Sequence, residues 1–475
     1  MALHPRTGNT LPVLVVFLAL ATPSGARQRP APIRLHPDNP HYFLFRDTPT
    51  ILVTSGEHYG AVLNLDFDSV RYLDTLKSLG FNHTRAFSGA YREVEGSFGI
   101  PDNTLAPAAG RFACPWARTD TPGASDGGTK FDLEQWDPAY LRRLKEFVAA
   151  AGERGVVVEL VLFCTMYDEK LWHASPMHPS NNVNGAGQDV GPYEVYSLKD
   201  ERLTAAQVAL TRKLVTELAE FDNVYFEVCN EPYERGGLTP EWNDRIVQEI
   251  VESEKGRPAE RRHLIAQGVP RRTKVEKANP HISVFNVHAA AAEDVRLNYA
   301  LNKPVADDET GGKGQADLPY RTEAWEFLLA GGAVFSHLDF SFTCEHPEGT
   351  APVTNHPGGG GPTIRAQLKV LKAFMEGFDF VRMKPDEACV RGNEAGTSRV
   401  LALSRPGVAY ALYVSGAGRS EVTVRLPAGR YKAEWVDPIA GNLASQETFA
   451  HGGGDRALRL PAYADDVALR LNRVD

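Results

Sequence analysis

The sequence predicts a (β/α)8 barrel, the TIM-barrel architecture, followed by a small C-terminal antiparallel β-sandwich. Three observations predict it. Between residues 51 and 378, short apolar runs alternate eight times with segments of helical apolar spacing. Strands alternating with helices imply parallel pairing, and eight pairs imply closure. From about residue 390 the rhythm changes to strand-like runs at short spacing, with Gly, Pro and Asp at the turns. Several barrel runs end in polar residues, and the C-terminal end of a barrel strand is where such folds build their sites. An open doubly wound sheet is the alternative. It calls for a Gly-rich phosphate turn after the first strand, where Ser55-Gly-Glu-His58 stands instead. The 475 residues divide on this reading into a leader (1–26), a barrel (27–387) and a sandwich (388–475).

In order along the chain, Ile33 to Leu52 reads as a hairpin turning at Asp47-Thr-Pro49. Ile51 to Thr54 is the first barrel strand. Phe67 to Leu79 is a helix with Val70, Leu73, Leu76 and Leu79 on one face and Gly80 as its stop. The second strand, Phe81 to Phe87, carries Arg85. Residues 88–130 form a long loop rich in Gly and Pro, and loops of that length usually carry function. The helix Asp137 to Arg154 has Asp137 as N-cap and Gly155 at its end. The third strand, Val156 to Phe163, precedes a second long loop, 164–200, with His173, His178 and the run Asn181-Asn-Val-Asn184.

Helix Leu203 to Phe221 leads into the fourth strand, Val224 to Val228. Helix 239–255, strand His263 to Val269, a short helix at 270–278 and strand His281 to His288 follow. Helix 291–301, a seventh strand within 303–309, helix Arg321 to Leu329, strand Gly332 to Phe342 and helix Thr363 to Phe378 complete the eight pairs. The sandwich strands are Arg399 to Ser404, Val408 to Val414, Glu421 to Leu426, Gly429 to Val436 and Val467 to Leu471, with His451-Gly-Gly-Gly-Asp455 as a loop.

Composition is globular, at 43% hydrophobic and 23% charged, and the net charge of −9 with no basic patch argues against a nucleic-acid surface. Residues 1–26 have the form of a secretory signal. Arg6 precedes the apolar run 11–21, and Ser24-Gly-Ala26 offers a cleavage site. The run is short for a membrane span, so the expectation is a secreted or periplasmic protein with no membrane contact once the signal is removed. Five cysteines have no metal-ligand spacing, and one disulfide is possible.

Polar strand ends supply the candidate site: Glu57 and His58 after the first strand, Arg85 on the second, Asn230 and Glu231 on the fourth, His288 on the sixth, Glu309 on the seventh and Asp339 on the eighth. Pro232 cannot donate to a ladder and ends the fourth strand there. Carboxylates on strands four and seven face each other across the barrel mouth, the arrangement that glycoside hydrolysis needs. Asp307 or Asp308 could stand in for Glu309, because alternation along a strand sends neighbours to opposite sides. Asp339, between Leu338 and Phe340, also reads as a buried structural acid. Trp116, Trp172 and Trp242 could stack on sugar rings or pack in the core.

Asn230-Glu231-Pro232 after strand four and Glu309 after strand seven resemble the clan A glycoside hydrolases, which include the family 5 cellulases and mannanases. The resemblance covers roughly residues 40–380. With its sandwich, the chain also looks like apiosidase-like hydrolases that carry a C-terminal β-domain of collagen-binding type, and Phe380-Val-Arg-Met-Lys-Pro385 fits that junction. The resemblance implies a retaining mechanism, with Glu231 as acid/base and Glu309 as nucleophile. It implies that Asn230 binds the sugar 2-hydroxyl and that Arg85 supports the nucleophile. His288, Glu57 and His58 are further candidates for substrate contact. The pattern departs from family 5 at three places: strand eight lacks a tryptophan, no tyrosine follows His288, and strand three ends in Phe163-Cys164 rather than a histidine.

Glu231 as an acid requires a raised pKa, which burial and a like charge on Glu309 would give; Glu309 requires a cation, which Arg85 would give. The partner is then a carbohydrate, and neither metal nor cofactor is expected. A non-catalytic carbohydrate- or matrix-binding barrel is the alternative; it would have lost part of the set Arg85, Asn230, Glu231 and Glu309, and all four are present. A metal-dependent hydrolase could draw on His58, His288, Asp307 and Asp308, but these lack tight ligand spacing.

Overall fold

The computed structural model describes residues 1–3, 30–234, 238–392, 394–395 and 397–475. Met1–Pro30 and Ala31–Asp475 form separate units, and the description below concerns the second. From residue 4 onward, the leader expected over residues 1–26 lies outside the described residues.

Eight parallel strands form the central sheet: β1 (Leu52–Gly56), β2 (His83–Phe87), β3 (Val157–Cys164), β4 (Val224–Asn230), β5 (Ile265–Gly268), β6 (Val284–Asn286), β7 (Val305–Thr310) and β8 (Val334–Leu338). Hydrogen-bonded neighbours run β1-β8-β7-β6-β5-β4-β3-β2. The barrel closes between β2 and β1 at Asn82, whose N–H donates to Val53 O at 3.3 Å and whose side chain adds two bonds. Asn82 donates to Ile51 O at 2.8 Å and accepts from Val53 N at 3.0 Å. The strands are buried on both sides, which is why they read as nearly continuous apolar runs.

Around them lie α1 (Ser69–Leu79), α2 (Pro138–Glu153), α3 (Glu201–Leu218), α4 (Pro240–Glu254), α5 (Ala292–Asn298), α6 (Asp317–Leu329) and α7 (Pro362–Glu376). Side-chain oxygens cap four of them: Asp68, Asp137, Asp200 and Thr239 accept from first-turn amides. Proline opens α2, α4 and α7, where its missing N–H costs nothing. In α1 the buried face is Tyr72, Leu73 and Leu76, whereas Val70 is exposed.

Three expectations are corrected. The N-terminal hairpin turns at Arg46-Asp47, both with positive φ, and Thr48–Thr50 is already strand. No helix follows β5. Residues 270–278 offer only Val275 and Ala278 as an apolar face, with prolines at 270 and 280. Side chains of α5 satisfy that backbone instead: Arg272 N donates to Asp294 and Val275 N to Asn298. The long loops also carry structure of their own. A hairpin pairs Trp116–Pro122 with Thr129–Trp136, and a six-residue helix spans Glu169–Ala174. The asparagine run ties the two together: Leu133 N donates to Asn184 at 2.7 Å, and Asn181 Nδ2 donates to His173 O at 2.7 Å and Ser175 O at 2.8 Å.

The C-terminal strands are β9 (Ser398–Arg405), β10 (Ala409–Ser415), β11 (Glu421–Leu426), β12 (Gly429–Val436), β13 (Leu443–His451), β14 (Gly454–Arg459) and β15 (Asp466–Arg473). One antiparallel sheet contains β9-β10-β15-β12-β13, and a second contains β11-β14. The glycine run is thus the short link that carries the chain from β13 in the first sheet to β14 in the second. Alternation splits the first sheet's faces. Val400, Ala402, Leu412, Val414 and Leu469 join the core between the sheets, while Leu401, Leu403, Ala411, Tyr413 and Ala468 join the core of the barrel. Tyr413 stacks on Trp325 of α6 with ring centroids 5.1 Å apart. Beside this stack Arg321 of α6 forms a buried bidentate pair with Asp466 at 2.8 and 3.0 Å. All five cysteines are free.

A buried pair broken on one side leaves an uncompensated charge. Asp466→Ala should therefore cost about 3–5 kcal/mol, read as a fall in the urea midpoint, whereas Arg321→Met combined with Asp466→Leu should recover most of the loss.

Candidate active site

Arg85 lies inside the barrel mouth and is fully buried. Its Nη1 donates to Glu309 at 3.1 Å. Its Nη2 donates to Glu227 and to Asn230 Oδ1, the latter at 2.9 Å, and lies 3.1 Å from Asp308. The Tyr59 ring covers the guanidinium at 4.7 Å. A polar layer continues inward. Glu159 accepts from Tyr225 at 2.9 Å and from Asn286 at 2.7 Å. Burial raises the Glu227 carboxyl above its ordinary value; Arg85 opposes the shift, and Asp308 and Glu159 reinforce it.

Asp308 and Glu309 are sequence neighbours, yet both reach Arg85. Strict alternation forbids this. The β7–β8 register shifts between Asp307 and Thr310: three steps on β7 face two on β8. The extra residue is a bulge, which re-aims Glu309 to the same side as Asp308. Asp307 is buried beside Glu323, and burial with that like charge raises its carboxyl well above the usual range. Asp307 is therefore not the strand-seven carboxylate of the site.

On the opposite wall β4 ends at Asn230, and Glu231 takes φ 46°. Thr165 holds this bend, donating its N–H to Asn230 O at 3.2 Å and its hydroxyl to Glu231 O at 2.6 Å. Pro232 then packs on Gly268, where an added Cβ would lie 2.6 Å from the proline ring. Tyr59 (φ 61°) and Ala289 (φ 49°) are also left-handed, each just after His58 or His288. Such residues cost about 1–3 kcal/mol each and persist where surrounding structure over-determines them.

His288 joins the two walls. Its Nδ1 is 3.4 Å from Glu231 and 3.9 Å from Glu309, and its Nε2 is 3.6 Å from Asp308. Burial would lower this imidazole, but Glu309 and Asp308 more than offset burial and raise its pKa well above the usual value. Burial would likewise raise Glu231. The protonated His288 and the Tyr167 hydroxyl, which donates to Glu231, hold it below the ordinary carboxylate range instead. The raised pKa expected for Glu231 is thus corrected: His288 and Tyr167 depress this carboxyl, and the neighbouring acids raise the imidazole.

Asn230, Glu231, His288 and Glu309 line a cleft of about 550 Å³ with His58, Glu93, Phe98, Tyr167, Asp168, Glu234 and Phe340. His58 Nε2 pairs with Glu93 at 3.4 Å. Of the expected residues, Arg85, Asn230, Glu231, His288, Glu309 and His58 come together. Glu57 does not line the cleft. It is buried, and it accepts from Gly60 N at 3.0 Å, Ala61 N at 3.1 Å and the Thr104 hydroxyl at 2.5 Å. Its role is to clamp a loop. Trp116, Trp172 and Trp242 are buried in the core. Asp339 is structural, paired with Arg365 at 2.5 Å.

Sequence reasoning missed Glu93, Phe98 and Tyr167, which lie in loops without a motif. It also missed Glu159 and Glu227, although an acid inside an otherwise apolar strand was a readable signal. Among the described residues, Glu159, Glu227 and Asp308 form one carboxylate group whose oxygens lie within 4.8 Å of one another. Arg85 supplies a cation to all three, at 3.7 Å from Glu159 and closer to the others.

Solved structures share this architecture. A Bacteroides vulgatus ATCC 8482 protein described as a candidate glycoside hydrolase superposes with a TM-score of 0.65 at 17% identity, over 94% of this chain and 82% of its own. A family 5 glycoside hydrolase from the same organism gives 0.63 at 15% identity, over 93% of each chain. The chain has the fold of these glycoside hydrolases. A family 30 subfamily 8 xylanase from Clostridium acetobutylicum gives 0.50 at 11% identity, over 93% of this chain and all of its own. No protein-family model matches the sequence, and no curated protein matches it.

Removing the imidazole removes the charge that depresses Glu231. His288→Asn should raise the Glu231 carboxyl pKa, measured by carbon NMR of labelled glutamate side chains. The folded-state pKa of His288 lies above its unfolded value. Its stabilisation is therefore full below about pH 6.5 and is lost as pH climbs through the raised value. His288→Asn should flatten that slope in urea titrations.

Proposed function

We propose that the protein is a retaining O-glycoside hydrolase acting on a poly- or oligosaccharide. The carrying observation is that Glu231 and Glu309 flank one imidazole in one cleft, and that Glu309 is bonded to Arg85 as well. Both oxygens lie within 4 Å of His288 Nδ1. The two oxygens are therefore less than about 7.5 Å apart, a bound that admits the roughly 5–5.5 Å a retaining pair requires.

Glu309, ionised beside Arg85, attacks the anomeric carbon. The bond to the leaving oxygen breaks as that oxygen takes a proton from the Glu231 carboxyl, leaving a glycosyl ester on Glu309. A water then gives its proton to Glu231, its oxygen attacks the same carbon, and the ester bond breaks to free Glu309. His288 holds a proton in contact with Glu231 and supplies it to that carboxyl before the first step. Asn230, fixed by Arg85 and Tyr167, faces the sugar hydroxyl next to the anomeric carbon. Support for the reading comes from this geometry and from the fold shared with glycoside hydrolases. Export through residues 1–26 would bring the enzyme to extracellular glycans.

Among its described lining residues the cleft has Glu93, Asp168, Glu231, Glu234 and Glu309 against His58 and His288, with no Lys or Arg. That excess of carboxylates disfavours an anionic sugar. In an aryl-glycoside panel, neutral glycosides should be hydrolysed and glucuronides should not. Glu309→Ala should lower kcat by at least about 10⁴-fold, the order lost when a unit of the catalytic machinery is removed. Azide should then restore turnover with a glycosyl azide as product. Unchanged turnover in that variant would reject the nucleophile assignment.

A further inference from the structure

The cleft rim carries one aromatic whose placement the fold does not explain. Phe98 is the middle residue of the three-residue turn Ser97–Gly99, with φ 54° and ψ 12°, and is 52% exposed. Gly96 and Gly99 on either side also have positive φ, so the chain turns left-handed three times within four residues. A bulky residue rarely accepts that conformation, and an apolar one gains nothing from the exposure. The ring meets the fold edge-on at Tyr167, with centroids 5.1 Å apart and planes at 82°. Tyr167 in turn donates to Glu231.

That chain of contacts orients the cleft. The carboxyl that protonates the leaving oxygen faces the leaving group, so the wall built on Glu231, Tyr167 and Phe98 is the leaving-group side. We infer that Phe98 is the platform on which the leaving-group portion of the substrate stacks. That portion presents an apolar ring face, either the C–H face of a pyranose or an aryl ring. The inference rests on Glu231 as the acid/base.

Two substrates with the same glycone test it, an aryl glycoside and a glycosyl fluoride, using the glycone the unmodified enzyme hydrolyses fastest. Fluoride needs neither a stacked ring nor a proton donor. Phe98→Ala should lower kcat/KM for the aryl glycoside about 2- to 12-fold, chiefly through KM, the equivalent of ~0.5–1.5 kcal/mol for a ring stack. It should leave fluoride hydrolysis unchanged, and Phe98→Trp should retain aryl-glycoside activity. Phe98→Gly, which suits the backbone, should show the same selective loss with an undiminished melting temperature. Equal loss on both substrates, or no loss on the aryl glycoside, overturns the platform while leaving the glycosidase reading intact. If the unmodified enzyme hydrolyses no glycoside, the reading falls and the platform falls with it.

Discussion

The barrel mouth depends on one guanidinium. Arg85 is buried, and a buried cation is stable only when its charge is paired and its donors are used. Its planar fork reaches acceptors on two strands at once: Glu227 and Asn230 on β4, and Asp308 and Glu309 on β7. A lysine would supply the charge without the fixed directions. The dependence is mutual, since the acids would repel one another without the arginine. Burial and the like charges of Asp308 and Glu159 raise the Glu227 carboxyl above its ordinary value against the pull of Arg85. The polar layer beneath the cleft is thus a balanced charge system, and the orientations of Glu309 and Asn230 are set by it rather than by their own rotamers.

Regular strand geometry alone could not build this mouth. Alternation would turn Glu309 away from the face that Asp308 occupies, and the bulge on β7 cancels that. Beyond the strand ends, Tyr59, Glu231 and Ala289 take left-handed backbone. The strain is local and is held by ordinary bonds, such as those from Thr165 to the carbonyls of Asn230 and Glu231. The rigid barrel supplies the counterforce. Breaks in periodicity are concentrated where side chains must converge on a small volume.

This division explains what could be read from the sequence. The barrel order was legible because apolar periodicity and capping residues are local signals: Asp137 opens its helix and Gly80 closes the one before it without reference to anything distant. The carboxylates on strands four and seven were legible because strand ends are countable. The missing helix after β5 was not, because its absence depends on α5 side chains taking over the backbone of residues 272–275. Glu57 and His58 looked alike at the end of β1, but only a partner 47 positions away, Thr104, turns Glu57 into a clamp. Glu93, Phe98 and Tyr167 enter the cleft from long loops, whose paths are set by tertiary contacts such as those of the asparagine run. The pKa direction of Glu231 failed for the same reason. The like charge across the cleft was visible in the sequence, but the imidazole that outweighs it was placed only by the fold.

The two glutamates are chemically identical, and their cations differentiate them. Glu309 faces a guanidinium, which does not release its proton at any ordinary pH, so its charge is always compensated. Glu231 faces an imidazole, whose proton can cross 3.4 Å when the balance of charge around it changes. A nucleophile needs its negative charge at every turnover. An acid/base group must gain and lose a proton within each one. A fixed cation suits the first task and would defeat the second, because it would hold the carboxyl ionised; a titratable cation can give its charge up. Under the proposed mechanism, Arg85 and His288 assign the tasks, and exchanging those cations between the two walls would exchange the proposed roles of Glu231 and Glu309.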